Sequence, residues 1–295
     1  MAADALHTPA SLRARSEAAS GALPGLLLHA ERLAATVMMG EHGRKRAGPG
    51  DAFWQYRPAQ PGDARRAIDW RQSARGDEHF VRESEWQAAQ TLMLWVDDAA
   101  SMRFAGDGRP SKLRRAQTLA LALAVLAVRA GERTGLASLA EPPRSGRAQL
   151  ARIADALMEG GDAPDYGIPR PRVMPMGARA AFLSDFLGPT EALTDALTSA
   201  ADRGVEGMLV QVLDPDEEAF PYDGRTVFES MSGAIRFETL KAGRLRDDYL
   251  SRLAARRDAL RDLCARTGWR FVVHHTDASP EALLLSLHTA LGPRR

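Results

Sequence analysis

The chain has 295 residues, 45% hydrophobic and 26% charged, proportions of a soluble globular protein with one large domain or a domain plus a module. A net charge of +1 gives no bulk pull toward nucleic acid or an anionic membrane. The single cysteine, Cys264, excludes an intrachain disulfide framework and makes a reducing cytoplasm the expected setting.

Residues 1–24 are rich in Ala, Ser and Arg and read as a flexible tail, closed by the Pro24-Gly25 turn and without the pattern of a secretory leader. Leu26, Leu27, Leu28, Leu33, Val37 and Met38 predict a helix over 26–38. Gly40, Gly43, Gly48 and Gly50 surround Arg44-Lys45-Arg46. This segment follows a helix and lacks the Gly-Lys-Ser/Thr ending of a phosphate loop, so it reads as a solvated basic loop. Interleaved Glu41, Asp51, Asp63 and Asp69 argue against a nucleic-acid patch here. Residues 51–90 are dense in Arg, Asp and Trp and read as a hydrogen-bonded clasp. Asp63 is expected to cap a short helical turn through Trp70, Arg66 to face Asp69, and His79–Trp86 to form a strand.

From residue 91 strands and helices alternate. Strands are predicted over 91–96, 134–139, 180–184, 207–213 and 269–274, and helices over 112–130 (with Ser111 as N-cap), 147–158, 190–202, 243–266 and 279–291. Residues 215–240 interrupt this order and read as an inserted β-hairpin. Repeated β-α-β order predicts an α/β fold, a doubly wound and mostly parallel sheet covered on both faces. The expected organisation is a tail (1–24), an N-terminal helix with the clasp (25–90), and the sheet domain (91–295) with its insert (215–240). The greasiest segment, Leu119–Val128, is far short of the ~20 residues of a spanning helix, so no membrane insertion is expected.

Two of the strands end in acid. Thr91–Val96 runs into Asp97-Asp98-Ala99-Ala100-Ser101-Met102, and Ala180–Leu183 into Ser184-Asp185. In a parallel sheet these carboxylates share the carboxyl edge, where open α/β sheets bind ligands. Carboxylates and hydroxyls there suit Mg²⁺. Three uses remain open: a partner-binding edge, a Mg²⁺-dependent phosphoryl-transfer or hydrolase enzyme using Asp97 and Asp185, or acids that cap the following helices. The enzyme reading lacks a nucleophile paired with a base. His274 and His275 are consecutive on a strand and face opposite sides, so at most one reaches any given site.

The run Pro61-Gly62-Asp63-Ala64-Arg65-Arg66-Ala67-Ile68-Asp69-Trp70-Arg71-Gln72-Ser73-Ala74-Arg75 resembles the signature of the bacterial "domain of unknown function 58" family. Asp97–Met102, Ser111-Lys112-Leu113, Ser184-Asp185-Phe186, Leu213-Asp214-Pro215 and Pro221-Tyr222-Asp223-Gly224 match its later motifs in order, over roughly residues 30–290. The resemblance implies a von Willebrand factor A-like domain with Rossmann-type strand order. It also implies a metal-ion-dependent adhesion site, and a chaperone-like role beside a MoxR-type AAA+ ATPase and its client proteins. Carried onto this chain, the metal ligands would be Asp97, Ser101 and Asp185, with Ser145 in the second loop. Ala99 stands where the family has its first Ser, and Arg144 and Arg147 flank Ser145, so the motif is degenerate.

Overall fold

A computed structural model of the chain describes residues 25–39, 53–60, 68–74, 76, 79–84, 90–159, 164–169, 174–229, 236–239 and 242–292. The expected tail 1–24, the basic loop 40–50 and the Asp63 and Arg66 contacts lie outside them.

The chain divides into two compact units. The smaller, Glu41–Ala89, holds an antiparallel pair, β1 (Phe53–Pro58) and β2 (Phe80–Ser84), and a one-turn helix α2 (Trp70–Ser73). The helical turn begins at Trp70, where the sequence had suggested an end. Asp69 supports it: its carboxylate accepts the Arg71 N–H at 3.1 Å, and the Ser73 hydroxyl donates to the Asp69 carbonyl at 2.8 Å.

The larger unit is built on five parallel strands: β3 (Thr91–Val96), β4 (Arg133–Leu136), β5 (Arg179–Ser184), β6 (Glu206–Leu213) and β9 (Arg270–His275), in the order β4-β3-β5-β6-β9. The near-continuous burial of β3, β5 and β6 is what a sheet covered on both faces requires. Helices α3 (Lys112–Arg129), α4 (Arg147–Met158) and α8 (Pro280–Leu291) pack on one face; α5 (Glu191–Asp202) and α7 (Arg246–Thr267) pack on the other. The first layer is an aliphatic core around Leu119, Leu123, Leu183 and Leu287. The second centres on aromatic contacts, Trp95–Phe182 at 5.4 Å and Phe182–Trp269 at 5.0 Å between ring centroids.

Helix α1 (residues 25–39) belongs to this unit, although the sequence grouped it with the clasp. Its stripe of Leu26, Ala30, Leu33, Ala34 and Val37 is buried in the aliphatic layer with α3 and α8. Within 215–240 the hairpin is present as β7 (Thr226–Glu229) and β8 (Arg236–Thr239), preceded by a short helix α6 (Pro215–Ala219) that the sequence reading lacked. Among the described residues no helix is long and apolar enough to cross a membrane.

The chain leaves β3 for β4 on one side, then returns past β3 to β5, β6 and β9 on the other. The winding therefore reverses between β3 and β5. The loops that follow these two strands, which carry Asp97 and Asp185, flank this switch point.

Candidate functional site at the carboxyl edge

Register brings the acid loops together. Val96 pairs with Leu183, so Asp97 and Ser184 are the next residues along their strands, and the Asp97 N–H donates to the Leu183 carbonyl at 3.0 Å. The Ser184 hydroxyl donates to Asp97 Oδ2 at 2.6 Å, and the Ala99 N–H donates to Asp97 Oδ1 at 2.9 Å. Asp97 is 1% exposed while Asp98 faces solvent, as the strand pleat dictates. Gly167 lies over Asp97 so closely that a Cβ there would stand 1.9 Å from Oδ1. Burial lifts the Asp97 carboxyl above its ordinary pKa, and the charges of Asp185 and Asp98 add to this. The bonds from Ser184 and Ala99 oppose it.

Asp185 meets a residue that the sequence marks only as part of the Ser111-Lys112-Leu113 motif, with no role at the site. Lys112, the first residue of α3, turns inward and is 1% exposed. Its Nζ donates to Asp185 Oδ2 at 2.9 Å and to Glu217 Oε1 of α6 at 2.6 Å. Asp185 Oδ1 accepts the Leu187 N–H at 3.1 Å. Burial pulls the ammonium toward neutrality, but the charges and hydrogen bonds of Asp185 and Glu217 overcome it and hold the Lys112 pKa above its ordinary value.

The network continues to the next strand end. Glu217 Oε2 accepts the Asp214 N–H at 2.9 Å, and Asp214 Oδ1 accepts the Asp216 N–H at 3.1 Å, the reciprocal box that starts α6. Asp214 also receives Arg109 through two bonds (Nε 3.0 Å, Nη2 2.8 Å), the Thr276 hydroxyl at 2.7 Å and the Gly106 N–H at 3.1 Å. Burial alone would raise this carboxyl, yet the donors from Arg109, Thr276, Asp216 and Gly106 hold it well below the usual carboxylate range. The ends of β3, β5, β6 and β9 are thus joined through Asp97, Asp185, Asp214 and Thr276.

Two loop residues pay a conformational penalty here. Phe186 (φ 50°) and Phe220 (φ 44°) are the non-glycine residues with left-handed backbone among those described, and each sits directly beyond part of the network. Such strain persists where the surroundings over-determine it. Arg256 of α7 supplies some of that restraint, donating to the Phe186 carbonyl at 2.6 Å and to the Gly188 carbonyl. The Phe220 ring meets Tyr222 edge-to-face at 5.3 Å and lies tilted against Tyr249 at 5.2 Å between centroids. Burial, then nearby carboxylates, raises the phenols of Tyr166, Tyr222 and Tyr249.

The remaining expected site residues divide. Ser101 is buried beside the first acid loop, its N–H donating to the Asp165 carbonyl at 3.0 Å, and its hydroxyl has no hydrogen-bond partner among the described residues. Ser145 is exposed between β4 and α4, and no hydrogen bond or ion pair among the described residues joins it to the cluster. Arg144 pairs through its backbone with Thr134. His274 is buried and its pKa falls to about 4, chiefly through burial; His275 Nε2 lies 2.9 Å from Glu218.

This donor set does not fit Mg²⁺. Both oxygens of Asp97 and both of Asp185 already accept protein hydrogens, and Ala99 offers a methyl. Ser145 is elsewhere, and a lysine ammonium stands against Asp185. No group of three His, Cys, Asp or Glu is arranged to hold a metal among the described residues.

The family model described as "Protein of unknown function DUF58" matches residues 55–259. The chain belongs to this family. Uncharacterized proteins of Mycobacterium tuberculosis (strain ATCC 25618 / H37Rv) and Mycobacterium bovis (strain ATCC BAA-935 / AF2122/97) are 28% identical to this DUF58 chain over 270 residues, 85% of it and 84% of theirs. Two solved structures share 12% identity and cover 69% of the chain and 98% of their own. They are BatB of Bacteroides thetaiotaomicron (TM-score 0.40) and an aerotolerance-related membrane protein of Bacteroides fragilis (TM-score 0.42). No property of this chain follows from likeness at that level.

Proposed function

We propose that this chain is a non-enzymatic interaction module with a von Willebrand factor A-like sheet. It acts with a MoxR-type AAA+ ATPase in chaperone-like assembly or activation of other proteins, and docks through the carboxyl edge of the sheet. The family resemblance supplies the partner class. The observation that carries the choice of surface is the loop 164–169. The Pro164 and Asp165 carbonyls accept the Ala100 and Ser101 N–H groups, fixing this loop to the first acid loop, and it still presents Tyr166 and Ile168 43% and 42% exposed. Large apolar side chains held out from a hydrogen-bonded support favour protein recognition, since little ordering remains to be done on binding. Grip on an acidic partner residue through Mg²⁺ is not part of this reading, because the donors do not fit the ion.

The test is a pull-down of the MoxR-type ATPase with the full chain, wild type against Tyr166→Ala/Ile168→Ala. Capture is expected to fall at least tenfold while the thermal midpoint stays within about 2 °C, as for surface changes. Capture at the wild-type level would remove the carboxyl edge as the docking surface.

A further inference from the structure

We propose that the Lys112 ammonium is the resident cation of the carboxyl edge, doing the electrostatic work that a divalent ion does at a metal-dependent edge. Docking here is consequently metal-independent, a corollary that rests on the function proposed above.

Lys112 would not stand where it does without a specific demand. It is the first residue of α3, where the helix dipole disfavours positive charge, and its whole side chain is removed from water. Two carboxylates from different segments converge on Nζ, Asp185 from the loop after β5 and Glu217 from α6. Their distances of 2.9 and 2.6 Å are those of charge-assisted hydrogen bonds, longer than the 2.0–2.1 Å of magnesium–oxygen bonds. Removing the ammonium would leave the buried Asp185 and the partly buried Glu217 facing each other without a cation. Adding a divalent ion beside it would set like charges together in a dry site.

The backbone is fitted to the ammonium as well. The Lys112 N–H donates to the Phe104 carbonyl at 3.1 Å, and Ser111 caps the helix by accepting the Arg114 N–H at 3.1 Å. The loop between the first acids and α3 is therefore pinned at the residue that carries the charge. Glu217 is held in turn through Oε2 by the Asp214 N–H, so the cation links three loops of the edge.

The experiment is a titration of the wild-type full chain with Mn²⁺ followed by electron paramagnetic resonance, with thermal midpoints measured in EDTA and in 5 mM Mg²⁺. No stoichiometric Mn²⁺ binding and equal midpoints are expected. One equivalent of bound Mn²⁺, lost in Asp185→Asn, would overturn the proposal. Lys112→Met is expected to lower the midpoint by roughly 10 °C in EDTA and to recover part of that loss in Mg²⁺. A Lys112→Met midpoint equal to wild type in EDTA would equally overturn the proposal. The wild-type titration decides the matter even if Lys112→Met does not fold. It uses the isolated chain, so it stands or falls separately from partner docking.

Discussion

Two neighbouring strands end in buried acids that are neutralised in opposite ways. Asp185, after β5, meets Lys112, and both side chains are 1% exposed. Asp214, after β6, meets Arg109, whose side chain is 24% exposed and also reaches Asp216. The lysine delivers a dry point charge to two carboxylates. The arginine lays a fork along one carboxylate while keeping contact with water, and Asp214 gains neutral donors from Thr276 and two backbone N–H groups. The first arrangement fails badly when the lysine is removed, because among the described residues neither carboxylate has a second ion pair. The second has redundancy.

The comparison can be broken most sharply at Lys112. Lys112→Met leaves the buried Asp185 and the partly buried Glu217 without a counter-charge and should cost about 3–5 kcal/mol in urea denaturation. Asp214→Asn keeps the shape and loses one charge from a better-supplied site, so a smaller loss of about 2 kcal/mol is expected. Its pH signature should differ too. The folded Asp214 pKa is depressed, so its contribution is present above the unfolded carboxylate value and is lost as pH falls through the folded one; Asp214→Asn should flatten the acid limb of the stability profile.

Asp97 carries the opposite sign. Its folded pKa is raised, so the native state binds more protons and stability declines as pH rises from the unfolded carboxylate value through the folded one. Asp97→Asn should remove that decline and change neutral-pH stability by less than about 1 kcal/mol. Gly167→Ala probes the cover above Asp97. Its Cβ has no room, and a loss of about 1–3 kcal/mol is expected by the same denaturation assay.

The sheet was readable because buried parallel strands are short apolar runs punctuated by acids, prolines and glycines, as in Thr91–Val96 followed by Asp97. Ser111 was readable as a cap because its partner, the Arg114 N–H, is three residues away. The short helix α6 was legible in principle: Asp214 and Glu217 have the spacing of a capping box, but the aromatic residues that follow drew the segment into the hairpin. Lys112 and Arg109 were not legible. A lysine in the first turn of a helix carries no local sign of burial, and its partners lie 73 and 105 residues away, with no local pattern to connect them. The acids stand on the expected edge, and the cation beside Asp185 there is Lys112. Of the metal ligands drawn from the resemblance, Asp97 and Asp185 are engaged by protein donors, Ser101 is close by, and Ser145 is elsewhere.

The most direct measurement is a double-mutant cycle between Lys112→Met and Glu217→Gln in urea, with and without Mg²⁺. A coupling of about 2 kcal/mol in EDTA, no larger when Mg²⁺ is present, is predicted for a charge pair that holds the edge together by itself. Additive losses, or a coupling that appears only when Mg²⁺ is present, would contradict the account.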